Sequence, residues 1–104
     1  MKPSRIDFHH QADLDYEEQL QYWGAKKPGA AEQFRDSITL TLEAILTHPF
    51  IYRKLRDNVR LARNGRYNLS IYFMIVDDAV IVLAIISAIV SEERIQRKLG
   101  QTGH

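Results

Sequence analysis

The chain has 104 residues, 45% apolar and 26% charged, with no cysteine and a formal net charge of +1. That length gives room for a single domain, 1–104, with one hydrophobic core, and the composition excludes a disordered chain; without cysteine there is no disulfide, no thiolate metal site and no thiol nucleophile. Met1-Lys2-Pro3-Ser4-Arg5 is not followed by an apolar stretch, and the longest apolar run, Ala79 to Val90, covers 12 residues, well short of the roughly 18 to 20 that cross a bilayer as a helix. The expectation is a cytoplasmic protein with no membrane association.

Ile6 and Phe8 alternate with their neighbours and predict a short first strand. Ala12, Tyr16, Leu20 and Trp23 follow at spacings of four, four and three, which places them on one stripe of a helix ending near Gly24. Pro28 is expected as the first residue of a second helix, because its missing N–H has no partner there in any case. Ala31, Phe34, Ile38, Leu42, Ile45 and Leu46 form the inner stripe of that helix, which must stop at His48-Pro49. So short a link between two helices predicts an antiparallel hairpin.

Phe50 to Asn58 reads as an irregular, basic connection. The charge is concentrated here: residues 51–66 carry six Lys/Arg against one Asp (net +5), whereas residues 1–50 carry five cations against eight carboxylates (net −3). Arg53, Lys54, Arg56, Arg60, Arg63 and Arg66 therefore form the strongest electrostatic signal in the chain, and they point to an anionic partner, either nucleic acid or an acidic protein segment. Cations on an edge strand also discourage unwanted strand pairing, so a purely protective role stands beside the functional one.

From Val59 the period changes to two. Asn64-Gly65 is a hairpin signal, and Tyr67, Leu69, Ile71, Phe73 and Ile75 define one face of the next strand. Tyr72 lies on the other face from Phe73, so one of the two is expected to be accessible. Asp77-Asp78 is expected to form a turn, not a catalytic pair. Val80 to Ile86, apolar on both faces, is expected to be the middle of the sheet. Ser91, Glu92 and Glu93 then suit the start of a last helix with Ile95 and Leu99 inside. The predicted class is α+β: an N-terminal strand, an antiparallel helical hairpin, three antiparallel strands in residues 59–87 completed by the first strand, and a short C-terminal helix. His9-His10 is the only paired-histidine motif, and adjacent residues on an extended segment point apart; no metal and no cofactor are expected.

This order of elements resembles the ParE/RelE superfamily of toxins from type II toxin–antitoxin systems, most closely its ParE-like branch. The likeness is carried by Tyr22-Trp23, Pro28-Gly29 with Phe34, His48-Pro49, Arg60, the run Tyr67 to Phe73 and the run Val82 to Ile86. It implies a toxin neutralised by a cognate antitoxin whose disordered segment folds upon it. It also implies one of two targets: DNA gyrase for ParE-type members, or messenger RNA on the ribosome for RelE-type members.

Many relatives follow the last strand with a His and one or two Arg, where this chain has Ser87, Ile89 and Val90. RNA cleavage needs a general base, a general acid and cations at the pentavalent phosphate, and that set is missing after the strand. Gyrase inhibition is the better reading; a ribosome-dependent endoribonuclease, or an inactive member that only binds its antitoxin, are the alternatives. Arg56, Arg60, Arg63, Arg66 and Tyr72 are the candidate target contacts, with Arg60 and Arg66 the preferred pair. Trp23, Ile89 and Val90 are the candidates for an antitoxin or homodimer interface.

Overall fold

The structure, a computed structural model, describes residues 2–88. β1 (Arg5–Phe8) leads into α1 (His10–Gly24) through His9, whose Nδ1 accepts the Gln11 backbone N–H at 3.1 Å. That bond satisfies one of the donors a helix start leaves open. α1 and α2 (Ala30–Thr47) form the expected hairpin. The second helix does not begin at Pro28, however. Pro28 and Gly29 form the turn itself, with Gly29 at a φ of 84° that glycine adopts without strain. Gly24 has a different role, since a Cβ there would lie 3.0 Å from that of Ala31: the two helices meet by close backbone approach.

α2 stops before Pro49 as the sequence requires, and Pro49–Ile51 form one turn of 3₁₀ helix. The connection beyond it is less irregular than expected, because Lys54–Arg56 make a short strand, β2. Its pairing with β3 (Val59–Asn64), Lys54 opposite Arg60 and Arg56 opposite Val59, supplies what three residues of pattern do not. β4 (Leu69–Val76) and β5 (Ala79–Ser87) complete a sheet in the order β1-β5-β4-β3-β2, with β1 parallel to β5 and the other pairs antiparallel. The three antiparallel strands and the added first strand are as expected; the middle position is not. It belongs to β4, with β5 between β4 and β1.

Both hairpin signals are real, but they act differently. Asp77-Asp78 closes a two-residue turn between Val76 and Ala79, with Asp77 at a φ of 55°. At Asn64-Gly65 the connection runs through Asn68, which takes the left-handed conformation (φ 53°), while Asn64 stays in the strand opposite Leu69. The Asn64 side chain, only 4% exposed, donates to the Ser37 carbonyl (3.3 Å), Ser37 Oγ (3.0 Å) and Thr41 Oγ1 (3.0 Å), and accepts from Tyr67 N (2.9 Å). One side chain thus fixes the turn and ties β3 to α2.

The helices cover one face of the sheet, where Phe34, Ile38 and Ile45 of α2 pack with Ala12 of α1 against Leu69, Ile71, Phe73, Val80, Val82 and Ile85. The other face is apolar as well, through Val59, Tyr72, Leu83, Ala84 and Ile86. A bulge makes this possible. Tyr72 pairs with Ala84 and Phe73 with Val82, so Leu83 is an extra residue and both Leu83 and Ala84 face the second cluster while Ile85 returns to the first. Ile89, Val90 and the last helix expected from Ser91 onward lie outside the described residues.

Candidate functional site

Alternation along β3 divides the basic block. Ala62 and Asn64 face the helical hairpin with Arg60, whereas Val59 and Leu61 belong to the other face with Arg63. Arg60 is half-buried. Its Nη1 donates to the Tyr52 carbonyl at 2.8 Å and to that of Phe50 at 3.4 Å, and its guanidinium carbon lies 5.3 Å from the centre of the Phe50 ring. Arg60 therefore clamps the segment after α2, which corrects the expectation of an exposed strand cation.

Arg66 lies beyond the other end of β3, where Nη2 donates to Gln33 Oε1 at 3.5 Å and the guanidinium sits 5.5 Å from the Tyr67 ring centre. The preferred pair, Arg60 and Arg66, is not brought together. Arg53, Lys54 and Arg63 are exposed, while Arg56 is half-buried and has interactions of its own.

Tyr72 and Phe73 do not divide into an inner and an outer residue: they are 2% and 0% exposed. Tyr72 sits in the second apolar cluster, so its ring is not presented to a target. The expectation that one of them is accessible failed because alternation implies a wet face only where one face of the sheet is left uncovered.

The residues that do come together lie where α1 ends, the β3–β4 connection passes and β5 finishes. Glu18, Gln19, Tyr22, Trp23, Arg66, Tyr67, Asn68, Leu69 and Ser87 line an open cleft of about 580 Å³. Its wall is a chain of edge-to-face rings, Tyr22 to Trp23 at 5.1 Å, Trp23 to Tyr67 at 5.0 Å and Tyr67 to Phe34 at 4.9 Å. Trp23 Nε1 donates to Gln19 Oε1 at 3.1 Å, and Lys26 Nζ lies 4.0 Å from the centre of the Tyr22 ring. Trp23 and Arg66, read separately as interface and target candidates, thus share one cleft.

Ser87, at the position where the resemblance read from the sequence implies a His, opens into the same space. Among the described residues that line it there is no histidine, one carboxylate, Glu18, and one cation, Arg66. Stacking on the rings and pairing with Arg66 are what this arrangement offers; a matched acid and base are not found among its described residues. Gln19 and Glu18 were missed by the sequence reading, although each stands four residues before a lining aromatic on the same helix face. Asn68 was also missed, since only its backbone conformation marks it out.

Among the described residues no three His, Asp or Glu side chains form a metal-binding group, and no helix is long and apolar enough to cross a membrane. Residues 6–88 match the family model of the ParE toxin of type II toxin-antitoxin systems, parDE. The chain belongs to the ParE toxin family. The resemblance read from the sequence is thereby borne out, and the protein is the toxin of a type II toxin–antitoxin system, a class that implies an antitoxin partner.

Its architecture is shared with a structure of the chromosomal ParDE system from P. aeruginosa, at a TM-score of 0.69 over 83% of this chain and 96% of that one, with 14% identity. An isolated E. coli RelE toxin aligns over 88% of this chain and 95% of its own with 20% identity, at a TM-score of 0.44 that is too low to bear on the fold. No curated protein matches the sequence.

Proposed function

We propose that this toxin arrests growth by inhibiting DNA gyrase without cutting a nucleic acid, and that a cognate antitoxin neutralises it by wrapping over its surface. The observation that carries this reading is the family match across residues 6–88, which places the chain on the ParE side of the superfamily. The cleft at the end of β5 adds support. Among its described lining residues it holds Ser87 where the resemblance implies a histidine and no matched acid and base, which disfavours ribosome-dependent cleavage of messenger RNA.

In this reading Arg63 and Arg66 are the target-facing cations, because they are exposed and Arg60 is committed to backbone carbonyls. Trp23, in the cleft, and Ile89 and Val90, just past β5, are the proposed contacts with antitoxin or with a second copy of the toxin. Cytoplasmic action follows from either target.

The test is a pair of assays on purified toxin. Inhibition of supercoiling by gyrase, relieved by the antitoxin, with reporter translation unaffected, is the expected result. Cleavage of a translated messenger with gyrase unaffected would replace this reading with the ribonuclease one, and inactivity in both assays would leave an antitoxin-binding member alone.

A further inference from the structure

The 3₁₀ turn after α2 presents two adjoining large apolar side chains to solvent, Phe50 at 57% and Ile51 at 75% exposed. The turn itself is held firmly. Pro49 is buried, Ile51 N donates to the His48 carbonyl at 3.4 Å, and Arg60 binds the carbonyls of Phe50 and Tyr52. The Tyr52 ring meets Phe73 of the core edge-on at 5.7 Å. Apolar area displayed on a fixed segment is the layout of a binding hot spot, since little conformational freedom is lost on association.

Two clefts use Phe50 as a shared wall. One, of about 280 Å³, is formed with Lys2, Thr47, His48, Pro49 and Ile51. The other, of about 170 Å³, is formed with Lys54, Asn58, Arg60 and Ile75. The first has mainly apolar walls, and the second contains two cations. Among the described residues neither has an Asp or Glu in its lining. Such a surface complements an apolar side chain next to a carboxylate. Arg60 already covers one face of the Phe50 ring, so the ring is not free to slide between two bases. That favours a peptide over a nucleic acid.

We propose that the Phe50–Ile51 knob is a docking site for an acidic, amphipathic segment of the antitoxin, with an apolar side chain beside Pro49 and Ile51 and a carboxylate beside Lys54. This rests on the antitoxin reading given above. The experiment is calorimetric titration of the full-length toxin with its cognate antitoxin, using wild type, the double variant Phe50→Ser with Ile51→Ser, and Lys54→Glu.

The double variant is expected to bind about 30-fold more weakly. Lys54→Glu is expected to bind about three- to fivefold more weakly at low salt, with the difference shrinking as salt is raised. Lys54 is exposed on an edge strand, so that variant keeps the test open if the double variant folds poorly. Unchanged affinity in both variants overturns the proposal. So does a wild-type dimer that dissociates in the double variant without loss of antitoxin affinity, which makes the knob a contact between copies, or displacement of the antitoxin from the knob by a short DNA duplex. Failure of wild type to bind antitoxin at all overturns the antitoxin reading, and this proposal with it.

Discussion

Asp15 is 5% exposed on α1, and its Oδ2 accepts the Ile85 backbone N–H at 2.9 Å while Oδ1 accepts from Gln11 Nε2 at 2.9 Å. The need for it arises in the sheet. β1 pairs with β5 only as far as Phe8 opposite Val82, and beyond that the chain turns into α1, so among the described residues the edge of β5 at Ile85 has no neighbouring strand on that side. A buried backbone N–H must find another partner, and the carboxylate provides it.

Asp15→Ala removes a charge-assisted bond and strands a buried donor, two overlapping losses that together are worth about 2–3 kcal/mol. Against a total stability of about 5–15 kcal/mol for a domain of this kind, that is a large fraction. The thermal midpoint should fall by roughly 10–20 °C. Asp15→Asn keeps an acceptor for Ile85 and should lose only about 1 kcal/mol, and Asp13→Ala, exposed in the first turn of the same helix, should stay within about 0.5 kcal/mol of wild type. Thermal unfolding followed by circular dichroism gives the midpoints, and hydrogen exchange at the Ile85 amide reports the bond directly. If Asp15→Ala melts within about 3 °C of wild type, the carboxylate is not what secures that edge of β5.

Asn64→Ala should destabilise the fold by about 2 kcal/mol or more, measured by urea denaturation, because it releases both the turn and the link to α2. Arg60→Ala should lower the urea midpoint by an amount matching about 1–2 kcal/mol while Arg63→Ala leaves it unchanged, since only Arg60 binds backbone carbonyls. Arg63→Ala combined with Arg66→Ala should abolish growth arrest in cells without antitoxin while the purified protein keeps its wild-type melting temperature; continued arrest would show that the exposed cations are a solvated surface.

Burial raises the Tyr16 phenol above its ordinary value, with Glu17 adding to the effect and Arg35 opposing it. The folded state then holds that proton more tightly than the unfolded one, so the contribution is complete below about pH 10 and is lost as the pH rises through the higher folded value. Tyr16→Phe should flatten that part of the alkaline stability profile.

The parts of the fold that were readable from sequence are those where a period decides. The stripes Ala12–Tyr16–Leu20–Trp23 and Phe34–Ile38–Ile45 gave the hairpin, and the alternation from Tyr67 to Ile75 gave β4 and its inner face. The misses are tertiary. β2 exists because β3 pairs with it, and three residues hold too little pattern to announce that. Pro28 is compatible with a helix start, but the left-handed turn is taken by Gly29, and helix α2 begins one residue later. Arg60 reads as a strand cation because its partners, the carbonyls of Phe50 and Tyr52, are eight to ten positions back along the chain and are brought to it only by folding. Tyr72 reads as half-accessible because alternation reveals which residues share a face and is silent on whether something covers it.

The same alternation limits what an anionic partner can touch. Lys54 lies on the edge strand, Arg63 on the face away from the helices, and Arg66 past the end of β3 beside the aromatic cleft, while Arg60 faces the hairpin with its Nη1 already bonded. A flat anionic surface pressed against one side of the sheet meets only a subset of these cations. To engage Lys54, Arg63 and Arg66 together, a partner has to pass around the edge of the sheet and over the end of β3, a path of about 20 Å at the rise of an extended strand. An extended peptide can follow such a path and gain contacts along it as it becomes ordered. In the reading proposed above, the charge density that the sequence concentrates in residues 51–66 suits a chain that wraps, with the Phe50–Ile51 knob at one end of that path and the Trp23 cleft at the other.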